Sequence, residues 1–161
     1  MANPSQSSQH AHAIPQGKDS QVKDHSFDVV ELRFLALSRR LFEAMSLQKQ
    51  DVWAAAYRLA EVQHGATGPE RVLSYTIDVI EALRSLRSSP FTYSRDGCKQ
   101  CRKLLSQEER LLVATFHDLR RGKRSRAFGH AMLLCEGADP ARLLVAMEML
   151  DFALFETADR I

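Results

Sequence analysis

The chain has few of the features that stabilise secreted domains or carry proteins into membranes. Its 161 residues include only three cysteines, an odd number that does not fit the disulfide framework of a small secreted domain. No apolar run approaches the roughly 18 residues needed to cross a bilayer, and residues 1–23 lack the apolar core of a secretory signal. We therefore expect a cytoplasmic protein that does not enter the membrane.

The sequence also lacks the short motifs by which common enzyme classes are recognised. It has no phosphate-binding glycine loop, no G-x-G-x-x-G, no H-E-x-x-H and no G-x-S-x-G. Paired E-x-x-H motifs, which hold two metal ions in helical carboxylate bundles, are missing too. We therefore do not expect an enzyme, although an all-α enzyme whose site combines residues distant in sequence stays open.

Alternation of apolar and polar residues, the pattern of a half-buried strand, is absent as well. Apolar residues instead recur every three or four positions, which is the spacing of one face of a helix. In the first such stretch they are Phe27, Val30, Phe34, Leu37, Leu41 and Met45. The pattern, with its capping and breaking residues, predicts six helices over about 27–47, 51–64, 69–87, 106–121, 125–136 and from 140 to near the C-terminus.

Local signals mark the ends of these helices. Thr67 with Glu70, and Ser106 with Glu109, have the spacing of a capping box, in which each residue's side chain accepts a hydrogen bond from the other's amide. Gly65, Gly122 and Gly137 follow predicted helices, where a left-handed residue often ends the helix. The fold class predicted is therefore all-α, a compact bundle of about six helices.

We expect two regions along the chain. Residues 1–25 contain few large apolar side chains, so ordering them would bury little, and we predict a disordered head. Residues 26–161 form a single all-α domain. Laid on itself at an offset of 71 residues, the sequence aligns Pro69 with Pro140 and Ala56 with Ala127, which indicates half-repeats over 27–90 and 104–161. Chance similarity between capped helix pairs is the alternative.

Charge is spread unevenly although the net charge is only +2. Residues 92–126 carry ten basic and four acidic side chains, whereas residues 127–161 carry two basic and six acidic ones. The two blocks can complement each other within one fold, or the basic block can attract nucleic acid or an acidic protein surface. We favour the first interpretation.

Cys98 and Cys101 form the one short motif with a chemical interpretation. Two thiolates at this spacing can bind one zinc ion or close a redox disulfide, and two reduced, inert cysteines are the third alternative. A structural zinc site needs two more ligands, for which the candidates are His117, His130 and Cys135. The cofactor prediction is therefore structural zinc or none.

A basic turn is the second candidate site. Its cations lie between two predicted helices and are Arg120, Arg121, Lys123, Arg124 and Arg126. Two helices joined by a short glycine-containing turn resemble a helix-turn-helix, but residues 127–134 are nearly all apolar and fit a buried helix better than one that contacts bases. The turn can contact phosphate without base readout, or it can simply be solvated.

Two functions from different classes follow. The first is a small non-enzymatic regulatory or adaptor protein that binds another protein through a helical face. Broad apolar faces on the first, third and sixth helices either converge on one core or leave a face for a second chain, so a homodimer is one such assembly. The alternative is a nucleic-acid-binding regulator that uses the basic turn and is tuned through zinc or oxidation at Cys98 and Cys101. A steep salt dependence of binding would separate the two.

Overall fold

Six α-helices pack compactly around one main core, which confirms the all-α prediction. The computed structural model describes residues 19–65 and 68–158, except for the side chains of residues 157 and 158. The helices are α1 Val29–Leu47, α2 Gln50–His64, α3 Pro69–Leu86, α4 Gln107–Arg120, α5 Arg124–Leu134 and α6 Ala141–Ala158. Within the described ranges no helix combines the length and the apolar character that a bilayer crossing requires.

Capping boxes fix the starts of α1 and α4. The Ser106 hydroxyl accepts a hydrogen bond from the Glu109 amide and the Glu109 carboxylate accepts one from the Ser106 amide, which confirms the predicted box. Asp28 and Glu31 form a second box, so α1 begins at Val29 rather than at the predicted residue 27. The predicted box of Thr67 lies outside the described residues, and α3 starts with Pro69.

The end of α5 differs from the prediction. We expect this helix to continue to Glu136, but it ends at Leu134 because Glu136 adopts a φ of 58° and Gly137 a φ of 87°. Two successive residues in this left-handed region cannot continue a right-handed helix. The chain therefore turns two residues early, and α6 begins after Asp139, whose carboxylate accepts a hydrogen bond from the Ala141 amide.

The helices contact one another both within and between the predicted halves. α1 contacts α2, α3 and α4, whereas α3 also contacts α6 and α4 also contacts α5. In the first half the helices are 19, 15 and 18 residues long and in the second 14, 11 and 18, so the shortest helix lies in the middle of each, and the repeat itself stays a prediction. The Phe34 and Phe116 rings meet between α1 and α4, with centroids 4.6 Å apart.

The N-terminal segment corrects two predictions, that residues up to 25 are disordered and that strands are absent. Strand β1 (Ser20–Gln21) pairs antiparallel with β2 (Leu104–Leu105), and a 3₁₀ turn follows over Val22–Asp24. Val22 packs against a small second core that contains buried Leu105, so this short segment partly buries an apolar side chain. The rest of the predicted head, residues 1–18, lies outside the described part.

A buried ion pair joins α1 to the first turn of α4, and further hydrogen bonds of its arginine reach the loop before α4. The Arg39 Nε lies 2.6 Å from Glu109 Oε1, and both side chains are almost fully buried. Arg39 also donates hydrogen bonds to the carbonyl oxygens of Arg102 and Leu104, and the Ser94 amide donates one to Glu109. Every one of these polar groups gains a partner inside the protein, which offsets the cost of burying two charges.

Candidate interaction surface

One helix exposes large apolar side chains in a continuous stripe. On α6 the side chains of Val145, Met149, Phe152 and Phe155 are between 44% and 65% exposed and follow one another at steps of three and four. The opposite side of the same helix buries Leu143, Met147, Leu150 and Ala153. We call the exposed stripe the α6 face. A helix that is apolar on both sides has more apolar surface than its own core uses.

The neighbouring helix extends this surface. Arg124, at the start of α5, lies 2.8 Å from the Glu148 carboxylate, which places the start of α5 beside the middle of α6. Phe128 follows one turn later on α5 and is 47% exposed. The apolar surface is therefore wider than one helix at this point.

The charged side chains that border the α6 face change sign along the helix. Arg142 lies at its N-terminal end, and Glu148, Asp151 and Glu156 follow in the later turns. A helix is stabilised by acids in its first turn and bases in its last turn, so Arg142 in the first turn and Glu156 in the last turn of α6 oppose the helix dipole, whereas Glu148 and Asp151 lie in the middle. A shallow cleft of about 290 Å³ adjoins the face between α3 and α6, and its lining residues include Tyr75, Asp78, Glu81, Arg142, Val145 and Met149.

The predicted metal ligands lie in separate places. Cys98 and Cys101 are joined as a disulfide in the loop before β2, with Cα atoms 5.2 Å apart. Cys135 is buried in the main core, where burial raises the pKa of its thiol. His117 and His130 contact Glu31 and Asp118 instead. The described residues contain no group of three or more His, Cys, Asp or Glu side chains arranged to hold a metal ion.

Replacement of Cys98 and Cys101 by serine tests the role of the pair. We expect the double variant to lose about 1–2 kcal/mol of unfolding free energy in oxidising buffer, because a short closed loop no longer restricts the unfolded chain. In reducing buffer it should match the wild type, which is the internal control. Equal stability in oxidising buffer would contradict a structural disulfide. Zinc binding stays a prediction, and elemental analysis of the same samples measures it.

Most of the basic turn already makes ion pairs within the chain. Arg120 contacts Asp28, Glu31 and Asp151, and Arg121 contacts Asp28 and Glu31. These contacts connect α4 to the start of α1 and to α6. The Asp151 contact also supports the interpretation that the basic and acidic blocks complement each other.

The remaining cations of the turn are more exposed. Arg124 pairs with Glu148, and Arg126 Nε lies 3.4 Å from Asp118 Oδ2. Lys123, also exposed, is the residue that precedes α5. Helix α5 turns Ala127, Ala131 and Leu134 inward but exposes Phe128 and Leu133, so the helix that we predict to be buried is buried along one side only.

Sequence reasoning missed the acidic cluster that receives these cations. The Glu31 carboxylate is fully buried and accepts hydrogen bonds from His117, Arg120 and Arg121. Burial acts to raise the pKa of Glu31, but the hydrogen bonds from His117 and Arg121 outweigh it and the pKa is lowered. The spacing of Asp28 and Glu31 is that of a capping box, and this was the one local signal available.

Asp118 is a second buried carboxylate that the sequence did not reveal. It is 1% exposed, and neither of its oxygens makes a hydrogen bond within the described structure. His130 Nδ1 lies 3.3 Å from Asp118 Oδ2, and Arg126 supplies a cation 3.4 Å from the same oxygen. Asp118 and Arg126 therefore connect α4 to α5 by charge rather than by a formed hydrogen bond.

A cleft of about 370 Å³ lies between the C-terminal ends of α1 and α3 and the loop that follows α3. Phe42 stacks on Phe91 and Tyr93 along one wall, with ring centroids 4.4 and 5.5 Å apart. Arg87, at its edge, donates a hydrogen bond to the Leu134 carbonyl and so joins the loop to α5. The aromatic stack fastens the loop to α1.

Comparison of the chain with protein-family models, with curated proteins and with solved structures finds no match.

Proposed function

We propose that the chain is a small non-enzymatic regulatory or adaptor protein that binds another protein through the α6 face. The observation that carries this proposal is the stripe of four large apolar side chains on α6, two of them phenylalanines, each about half exposed. Contiguous apolar patches of this kind, bordered by charges, are typical of protein-binding surfaces.

The energetics favour a protein partner. Covering a large apolar side chain fully contributes about 1.5–3 kcal/mol, and Phe152 and Phe155 still expose more than half of their surface. A partner that covers these rings gains several kcal/mol, which offsets part of the entropy lost on association. Buried aromatic anchors near the middle of a contact dominate the binding energy of most interfaces.

The alternative, nucleic-acid binding by residues 120–126, has less support. Four of its five cations, those of Arg120, Arg121, Arg124 and Arg126, already make ion pairs with carboxylates of the same chain. Each would have to exchange a fixed carboxylate for a phosphate, so little net attraction is gained. Binding that weakens steeply with salt would favour this alternative over the α6 face.

Replacement of Phe152 by aspartate tests the proposal. A carboxylate in the middle of the face would have to be buried without a partner, so we expect binding to a protein partner to weaken about 30-fold. Because Phe152 is exposed, the free energy of unfolding should change by less than about 0.5 kcal/mol. Affinity purification with the wild type identifies the partners, and the binding of each is then measured by titration with both proteins.

The matched control is Val62→Asp, which places the same charge at an 83% exposed apolar residue on α2. This variant should bind every partner as tightly as the wild type does. If the Phe152 variant also retains all partners at unchanged affinity, the α6 face is not the binding surface and the proposal fails.

A further inference from the structure

We infer that the α6 face binds the α6 face of a second copy of this chain, with the two helices antiparallel about a twofold axis near Met149. This inference rests on the proposed function, since it uses the same surface, and it adds the identity of one partner. The distribution of charge along α6 favours this arrangement.

The outer surface of α6 has the spacing of a helix-pairing seam. Val145, Glu148, Phe152 and Phe155 recur at steps of three, four and three, as do the residues along the contact line of paired helices. Arg142, Met149 and Glu156 border this line on one side at intervals of seven. Residues seven apart lie nearly above one another on a helix, so these three form a straight row.

A twofold axis at the centre of this row makes it complementary to itself. Met149 meets Met149 of the second copy, while Arg142, seven residues before the centre, faces Glu156, seven residues after the centre in the second copy. The symmetry generates this pair twice. A parallel arrangement would instead place Arg142 beside Arg142 and Glu156 beside Glu156, so the charges select the antiparallel one.

The same arrangement resolves the unfavourable order of charges on α6. Within one chain, Glu156 lies in the last turn of α6, where the helix dipole disfavours an acid. In the antiparallel pair, Glu156 lies beside the N-terminal end of the second α6, which attracts negative charge, and Arg142 lies beside its C-terminal half. Each charge is thus better placed for the second copy than for its own helix.

Contacts within the chain leave these charges accessible. Arg142 donates one hydrogen bond to the Ser85 hydroxyl, and Glu156 pairs through Oε2 with Arg71 while 34% of its side chain stays exposed. Because a carboxylate has two oxygens, Glu156 can also pair with Arg142 of the second copy without releasing Arg71. Glu148, on the contact line, forms an ion pair with Arg124 at 2.8 Å, so its negative charge already has a counter-ion when the helices meet. The apolar residues are then free to form the contact.

Charge reversal on the full-length chain tests the inference. Sedimentation velocity over a micromolar concentration series should show a monomer–dimer equilibrium for the wild type. Arg142→Glu and Glu156→Arg should each weaken dimerisation about tenfold, because two ion pairs become two like-charge pairs. The double variant should recover to within about threefold of the wild type. Arg58→Glu, an exposed reversal on α2, is the control and should have no effect.

A cysteine at the proposed axis gives an independent measurement. Met149→Cys should form an intermolecular disulfide on mild oxidation, because a residue on a twofold axis lies next to its own copy. Val62→Cys, on α2, should not. Covalent dimer from the Met149 variant alone supports the inference.

Three results would overturn the inference: a monomer at all concentrations, single reversals without effect, or a double variant that does not recover. These failures are separate from failure of the proposed function. If the chain stays monomeric while Phe152→Asp abolishes binding of a different protein, the α6 face binds proteins but not its own copy. If neither self-association nor a partner depends on Phe152, both proposals fall.

Discussion

Replacement of Glu109 by alanine should lower the free energy of unfolding by about 3–5 kcal/mol, the largest loss expected from any single substitution considered. The Arg39 guanidinium would stay charged in the interior with only two backbone carbonyls as acceptors. The amides of Ser94 and Ser106, which donate to the same carboxylate, would lose their acceptor at the same time. Urea unfolding followed by circular dichroism measures the loss.

The matched control is Glu81→Ala, which removes a half-exposed carboxylate 3.7 Å from Arg84 on the same helix. Exposed pairs of this kind contribute little, so we expect a loss below about 0.5 kcal/mol. A loss under about 1 kcal/mol at Glu109 would contradict the assignment of a buried, paired carboxylate.

A double variant separates the charge from the rest of the network. Arg39→Met with Glu109→Leu removes both buried charges, which in other proteins restores stability or raises it. Here we expect only partial recovery, because the buried amides and carbonyls that the pair joins would still lack partners. Full recovery would show that the ion pair is independent of the loop.

Replacement of Glu31 by alanine should cost about 2–4 kcal/mol. The side chain is fully buried, yet its partners His117, Arg120 and Arg121 are between 20% and 34% exposed, so water compensates them better than it compensates Arg39. Glu61→Ala, an exposed acid on α2, is the control and should change stability by less than about 0.5 kcal/mol. Equal losses at the two positions would contradict the assigned role of Glu31.

The decrease of the unfolding free energy at acidic pH should depend on the same carboxylates, Asp28 and Glu31. The pKa of Glu31 is lowered from 4.5 and that of Asp28 from 3.8, in both cases because hydrogen bonds outweigh the effect of burial. Groups with a lowered pKa stabilise the fold above their ordinary pKa and lose that contribution as pH falls. Glu136, with its pKa lowered to about 2 chiefly by the Ser89 hydroxyl, acts in the same direction.

Wild-type stability should therefore fall as pH decreases from about 4.5 toward 2. In Glu31→Gln the decline should be shallower, because one of the carboxylates that releases its proton on folding is gone. Thermal unfolding of both proteins across this range measures the slopes. Parallel slopes would show that Glu31 does not titrate differently in the folded and unfolded chain.

Local rules predicted the helices well because the signals that start and stop a helix lie within a few residues of its ends. The Ser106 and Glu109 box is an example, and so is the turn at Gly122, which has a φ of 69°. The same rules could not predict that Glu109 also binds Arg39, seventy residues away. From sequence alone, a carboxylate that both caps a helix and binds a distant cation can be recognised only as a cap.

The candidate sites were harder to predict for the same reason. Arg120 and Arg121 stood out as part of a cationic turn, but their carboxylate partners, Asp28 and Glu31, are about ninety residues away. β1 was missed because a two-residue strand has no pattern of its own and depends on Leu104 and Leu105. The α6 face was easier to detect in the sequence, because apolar residues on both sides of one helix can be identified from their spacing.

The bonds that Arg39 donates to the carbonyls of Arg102 and Leu104 have a consequence for the N-terminal segment. Leu104 belongs to β2, and β1 pairs with β2. Strand β1 is therefore attached to a strand whose backbone is held by the buried Arg39 guanidinium. Opening of the loop and detachment of the strand should therefore occur as one cooperative event. The local stability of β1 therefore depends on the buried Arg39 guanidinium.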